Sequence, residues 1–414
     1  MTYRRVASGL LLLPLVLVPV LVVAAPFDGS QGVDAYNGLV VSFGRATAMG
    51  GAYAGVAEGL DGAVFNPASV AHRSRSLDRA WDFDVVLNWI IPGEALARED
   101  LGNEGHADPS LTDRASVQMG VGLQLGRLGL AFLVRAWSIT ANGAHGDQLR
   151  IQLQDTALSG GWSFWRDQLA VGADLVLVAG MPQWAPRPGD VFQSATYSGL
   201  HLRAGALYRP VGQPFRLGLA LDPGQSVTRS KGGAELPVTL PRSIDFPWTL
   251  SLGASMFLGR NGDLFNELPV VERRDHPEWD PGPDYEAGSW EPVLLSAQLD
   301  VAGRTPGAVS PLSYVHQQSQ PAMPSGAHVS LEPHLGAEWT AIDRWLVVRG
   351  GSYLEPSRTG AGSRVHGTFG FQVRIPVTWL DLKASFTADL ASRFNNYSFG
   401  VGFWRDRTPR PWTP

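Results

Sequence analysis

The sequence predicts an all-β fold: an antiparallel transmembrane β-barrel of about 14 strands, its lumen filled by the chain's own N-terminal segment. Three observations carry this. Fourteen runs of alternating apolar and polar residues occupy the chain from Trp81 to Trp404. The connections between them alternate between short and long, as the two ends of an up-and-down membrane barrel do. An apolar export signal stands in front, and no later stretch has 18 consecutive apolar residues that could span as a helix.

Residues 1–25 read as a cleaved signal peptide. Arg4 and Arg5 form the positive end, Val6 to Val23 the apolar run, and Ala24-Ala25 the small residues for cleavage. A membrane anchor is the alternative, but Pro14 and Pro19 interrupt the run. Cleavage after Ala24 is preferred, because Pro26 would follow the bond after Ala25. The 414 residues include no cysteine, which excludes disulfides, thiolate metal sites and a lipid-modified cysteine. The net charge of −5 is the wrong sign for a nucleic-acid partner. The 48 glycines and 14 tryptophans suit turns and interfacial aromatics.

The runs lie at about 81–92, 115–126, 127–141, 150–165, 167–180, 197–209, 214–228, 244–258, 293–303, 327–341, 344–354, 364–375, 379–390 and 396–404. Val117, Met119, Val121, Leu123 and Leu125 alternate with Ser116, Gln118, Gly120, Gly122 and Gln124, so the two sets point to opposite faces. Most runs are 10–15 residues, the length of a tilted membrane strand and too long for a typical soluble sheet. The 150–165 run changes phase near Asp155 to Ala157, which predicts a β-bulge there. The 344–354 run has no clear apolar face.

Parity places Asp174, His201, Arg203, His328, Glu332, His334, Glu338, His366, Arg374, Asp381 and Lys383 on the lumen face. A solvated, mutually paired interior accounts for them. The histidines stand singly on different strands, so no metal site follows from their spacing, and no cofactor is indicated. Neither GxSxG nor HExxH occurs, and the chain does not read as an enzyme. Six apolar residues also fall on the polar face: Leu133, Trp137, Ile139, Val176, Val178 and Leu207. They are either core contacts to whatever fills the barrel or the wall of an apolar ligand pocket.

A barrel of this size is too wide for its own side chains to fill. Residues 26–80 precede the first strand and can fold back inside. Within them, GRATAMGGAYAGVAEGLDGAVFNPASVA (44–71) carries only three charges, Arg45, Glu58 and Asp61, and almost no bulk. Glycines such as Gly50 and Gly51 permit turns, and Pro67 biases Asn66 away from helix. A helical hairpin capping the sheet from outside is the competing arrangement. No βαβ pattern surrounds the glycines, which argues against a nucleotide loop.

Gly44-Arg45 through Gly50-Gly51, then Gly59 to Asp61, then Asn66-Pro67-Ala68, resembles the N-terminal hatch of the FadL/TodX family, outer-membrane transporters of long-chain fatty acids and other hydrophobic compounds. The same signature occurs in PorV-like relatives. Residues 204–221 and 240–255 resemble the family's central hairpin and following strand more weakly. The resemblance implies a hatch over 26–80, a barrel over 81–404, capture of an apolar ligand near the extracellular end, and location in the outer membrane among its lipids. The family's ligand contacts do not carry over residue by residue. Two features depart from the pattern: ten residues (405–414) follow the last strand, and an insertion occupies 260–292.

Three functions compete: passive, hatch-gated uptake of a hydrophobic small molecule such as a long-chain fatty acid; a PorV-like barrel that docks or shuttles proteins for a secretion or motility machine; and a weakly selective porin. The insertion holds nine acidic residues, three arginines and five prolines, so it cannot bury a core of its own. Counting crossings from a periplasmic N-terminus puts it in the periplasm, where it is either a tolerated insertion or a docking site for a basic periplasmic protein.

Overall fold

The computed structural model describes residues 26–36, 38, 44–72, 81–92, 98–230, 235–259, 266, 293–342, 345–377 and 380–404. Residues 1–25, which the sequence reads as a signal peptide, residues 73–80, the insertion apart from Asn266, and the extension 405–414 lie outside the described residues.

In chain order the strands are β1 (Gly32–Asp34), β2 (Trp81–Pro92), β3 (Leu111–Leu125), β4 (Leu128–Asn142), β5 (Gln148–Phe164), β6 (Leu169–Ala185), β7 (Gln193–Ser194), β8 (Tyr197–Tyr208), β9 (Phe215–Asp222), β10 (Gln225–Thr228), β11 (Ser243–Phe246), β12 (Thr249–Leu258), β13 (Val293–Ala302), β14 (Ala308–Val309), β15 (Pro324–Ser325), β16 (Ser330–Ile342), β17 (Leu346–Pro356), β18 (Ser363–Val377), β19 (Leu380–Ala391) and β20 (Phe394–Trp404). Fourteen of them form a closed antiparallel barrel: β2–β6, β8, β9, β12, β13 and β16–β20, each beside its sequence neighbour, with β2 pairing β20 to close the ring. Closure leaves no edge strand, the condition for a sheet surrounded by lipid.

The alternation has a direct structural meaning. In β3, Val117, Met119 and Val121 are 43–53% exposed on the outside, while Ser116 and Gln118 are buried inside. Similar apolar side chains girdle the outer surface, and Trp81, Trp162, Trp165 and Trp345 stand exposed near the short-turn end, where interfacial aromatics belong. No described helix is long and apolar enough to cross a membrane.

Three expectations need correction. The β-bulge near Asp155 is absent: β5 pairs in unbroken register with β4 and β6 throughout. The backbone phase is constant, and the chemistry of the faces inverts instead. Leu149, Ile151 and Leu153 point inward, as do Ser159 and Ser163, while Leu158, Trp162 and Phe164 point out. The runs 214–228 and 244–258 are each two strands rather than one, broken at Pro223-Gly224 and at Pro247-Trp248. Gly224 takes a φ of +69°, which favours glycine. His328 lies before β16, in the connection that precedes it, and is exposed rather than lumenal.

The pieces split off in this way build a second sheet at the end of the barrel that carries the long connections, here the loop end. Its order is β10-β11-β1-β14-β15, with N-terminal β1 central and parallel to both β11 and β14. Phe27 anchors the start of this segment edge-to-face on Tyr314.

Candidate functional site

Residues 44–72 form two short helices (Gly44–Ala48 and Gly59–Ala63) and a 3₁₀ turn (Pro67–Ala71). They contact the inward side of all 14 barrel strands. The contacts explain why small residues are needed on both sides. A Cβ at Gly129, Gly172 or Gly218 of the wall would run into the carbonyls of Val70, Pro67 or Ala54. Gly50 and Gly51, with φ of +61° and +80°, bring the segment onto Leu335 and Ser352, where a Cβ at Gly50 would lie 2.7 Å from backbone atoms.

Asn66 caps the 3₁₀ turn, its Oδ1 accepting from the Ala68 N–H at 3.1 Å. Its Nδ2 donates to the carbonyls of Ala54 (3.1 Å) and Ala206 (2.9 Å), tying the turn to the wall. Pro67 at the first helical position costs no hydrogen bond. Arg45 makes a bidentate pair with Glu338 (2.8 and 2.9 Å) and reaches Glu58 at 2.9 Å; Arg216 holds the other Glu58 oxygen at 2.7 Å. Thr387 Oγ1 donates to the Gly44 carbonyl, and Lys383 lies 3.3 Å from Asp61.

Toward the loop end is a cavity of about 90 Å³. Part of its lining is apolar: Ile90, Trp137 and Ile139 from the barrel, Leu101 and Leu312 from the connections. The rest includes Asp34, Tyr36, Glu332, Tyr353, Glu355, Arg358 and, beside Ile139 in the β3–β4 ladder, Arg114. Arg358 pairs with Asp34 at 2.6 Å, Glu355 with Arg364 at 2.6 Å, and Arg114 lies 3.3 Å from Glu99. Burial, with the carboxylates of Glu332 and Asp300 close by, pushes the Tyr36 phenol well above its ordinary value. Burial likewise raises the Glu99 carboxyl, against the opposing pull of Arg114.

Of the six apolar candidates, Trp137 and Ile139 line this cavity. Leu133, Val176 and Val178 are buried in one cluster with Val33, Leu60, Val70 and Ile244. Leu207 is apart from them, packed with Ala57, Ala68, Ala71 and Ala170. Sequence reasoning did not find Asp34, Tyr36, Leu101, Leu312 or Arg358. They sit in connections and in the N-terminal segment, where no period marks a face. Among the described residues, no cluster of three or more potential metal-ligating side chains occurs.

No family model and no curated protein sequence matches the chain. Solved structures do. The toluene transporter TodX of Pseudomonas putida is similar at 13% identity, covering 91% of this chain and 100% of that one, with a TM-score of 0.53. CymD, a monoaromatic hydrocarbon channel, is similar at 11% identity, covering 90% and 99%, with a TM-score of 0.53. A TodX deltaS2 mutant gives 11%, 89%, 99% and 0.50. At these identities the likeness is one of fold, and it runs nearly end to end in both chains.

Proposed function

We propose that this chain is an outer-membrane transporter of hydrophobic compounds of the FadL/TodX type, with residues 26–80 as its hatch. The observation that carries the reading is the stacking of two features in one barrel: an apolar-walled cavity toward the loop end, and a segment below it that contacts every strand. A porin would need an open lumen at that level. The solved relatives of this fold conduct toluene and other monoaromatic hydrocarbons, which supports a hydrophobic small molecule as the cargo class here. Capture occurs in the cavity bounded by Trp137 and Ile139, and release follows movement of the hatch. Long-chain fatty acids remain one cargo within this class.

The test is a pair of measurements on the barrel purified in mild detergent. Mass spectrometry of an organic extract should recover a hydrophobic compound. Deleting residues 26–72 should then raise single-channel conductance by about tenfold or more, since the emptied lumen of a barrel this wide passes water and ions. Equal, low conductance with and without the segment removes the hatch from the reading.

A further inference from the structure

We infer that the ligand of the loop-end cavity carries a hydrogen-bond donor, a hydroxyl or amino group, seated on Glu332. This rests on the transporter reading and narrows its cargo. Arg358 is engaged by Asp34 at 2.6 Å. Arg114 lies 3.3 Å from Glu99, though its Nε and Nη1 have no hydrogen-bond partner among the described residues. Glu355 is held by Arg364 at 2.6 Å and by His366 at 2.8 Å. His334, two residues from Glu332 on the same face, is taken by Asp300 at 3.2 Å and by the Gly50 carbonyl at 2.6 Å. Among the described residues, Glu332 is left with no ion-pair partner, although it is only 2% exposed.

A carboxylate accepts several hydrogen bonds, and a buried polar group left short of partners costs about 1–3 kcal/mol. A ligand hydroxyl relieves this in either protonation state, donating to the carboxylate or accepting from the acid. An ammonium group does so when the carboxylate is charged. A hydrocarbon leaves the shortfall in place. The apolar body of the ligand lies against Trp137, Ile139 and Leu101.

The experiment is calorimetric binding of three probes of similar size, toluene, benzyl alcohol and benzylamine, to the full-length barrel in detergent. Benzyl alcohol and benzylamine should bind about tenfold or more tightly than toluene, the ratio that one satisfied buried hydrogen bond supplies. Glu332→Gln should abolish the advantage of the amine and keep that of the alcohol. If that variant does not assemble, Glu332→Asp serves: it withdraws the carboxylate by one methylene and should shrink the preference for donor-bearing probes. Toluene binding as tightly as benzyl alcohol overturns this inference and leaves the transporter reading standing. Failure of all three to bind overturns both.

Discussion

The inner surface of this barrel has two unlike sectors. Along β4, β5 and β6 the inward side chains toward the loop end are apolar: Ile139, Leu149, Ile151, Leu153, Val176 and Val178, all buried. Along β16 to β19 they are charged or polar: Glu332, His334, Glu338, Arg349, Glu355, Arg364, His366, Lys383 and Asp389. Both sectors are largely buried, but they are filled by different means. The apolar sector is covered by residues brought from far away in sequence, Phe27, Val33, Ile244 and Tyr314, which the small loop-end sheet and its neighbours lay over it. The charged sector largely satisfies itself. Tyr353 donates to Asp389 at 2.8 Å, and His366 bridges Asp389 and Glu355 at 2.8 Å each. It then reaches the N-terminal segment through the Arg45–Glu338 pair and the His334 contact to Gly50. A wall that must receive a covering element from elsewhere is apolar. A wall that closes on itself can be ionic, because cross-strand neighbours deliver partners at fixed spacing.

The fit is tightest where wall glycines meet the N-terminal segment. Gly218→Val puts a branched side chain where the Ala54 carbonyl lies, while leaving the strand pairing of β9 untouched. The segment 44–72 should be displaced and conductance should approach that of the deletion, with unchanged heat-modifiability of the barrel on gels. Conductance equal to wild type would show that the segment accommodates the side chain and that its fit is not tight.

A second pair of variants weighs the sectors against each other. Ile244→Ala empties a site buried on the apolar side and should loosen the loop-end sheet by about 3 kcal/mol, whatever the salt. Arg45→Met strips Glu338 of one of its two arginine partners and leaves Glu58 with Arg216 alone. It should free the 44–72 amides to exchange by about 3 kcal/mol, because a mostly buried charge loses its pairing. Hydrogen exchange by mass spectrometry reads both. Exchange spreading over the whole N-terminal segment in both variants would mean that the two sectors hold one cooperative unit.

Trp137→Ala tests the cavity rather than the filling. Losing one such contact to an apolar ligand is worth roughly 1.5–3 kcal/mol, so retention should fall about tenfold or more while conductance stays low. Unchanged retention would move the ligand elsewhere.

The smallest effect lies outside the barrel wall. Asp108 and His316 pin two loop-end connections together at 2.7 Å. Burial disfavours the Asp108 charge, but His316 and the hydrogen bonds from Ser110 outweigh it and hold the carboxyl below its ordinary value of 3.8. With a depressed value in the folded state, the contribution is present above that ordinary value and is lost as pH falls through the lower, folded one. Asp108→Asn should loosen the connection by about 1 kcal/mol at neutral pH and flatten the acid dependence of proteolysis there. An unaltered acid profile would assign that dependence to another group.

How much was legible follows the range of each interaction. The 14 strands, their order around the ring and the lumenal position of Glu332, His334, Glu338 and His366 could all be read, because side-chain alternation is set within a few bonds. Asn66-Pro67 could be read as a turn for the same reason. The inversion in β5 could not. Its apolar residues near the loop end face inward because Ile244 and the N-terminal segment stand opposite them, and neither is near in sequence. A periodicity argument knows only that apolar residues share a side and assigns that side to lipid, so it read a change of partner as a change of phase. The breaks at Gly224 and Pro247 were visible as residue types, but their consequence depended on β1 arriving between two connections.

By itself, then, the sequence determined the barrel: period two over fourteen runs leaves a closed antiparallel sheet as the way to pair every backbone group in lipid. Only the tertiary structure decided which inward residues meet the chain's own N-terminal segment and which border a cavity. Leu133 and Trp137 have the same parity on the same strand, yet Leu133 is buried in the packed cluster and Trp137 borders open space. Parity says which way a side chain points, and what it meets there is fixed by residues tens or hundreds of positions away.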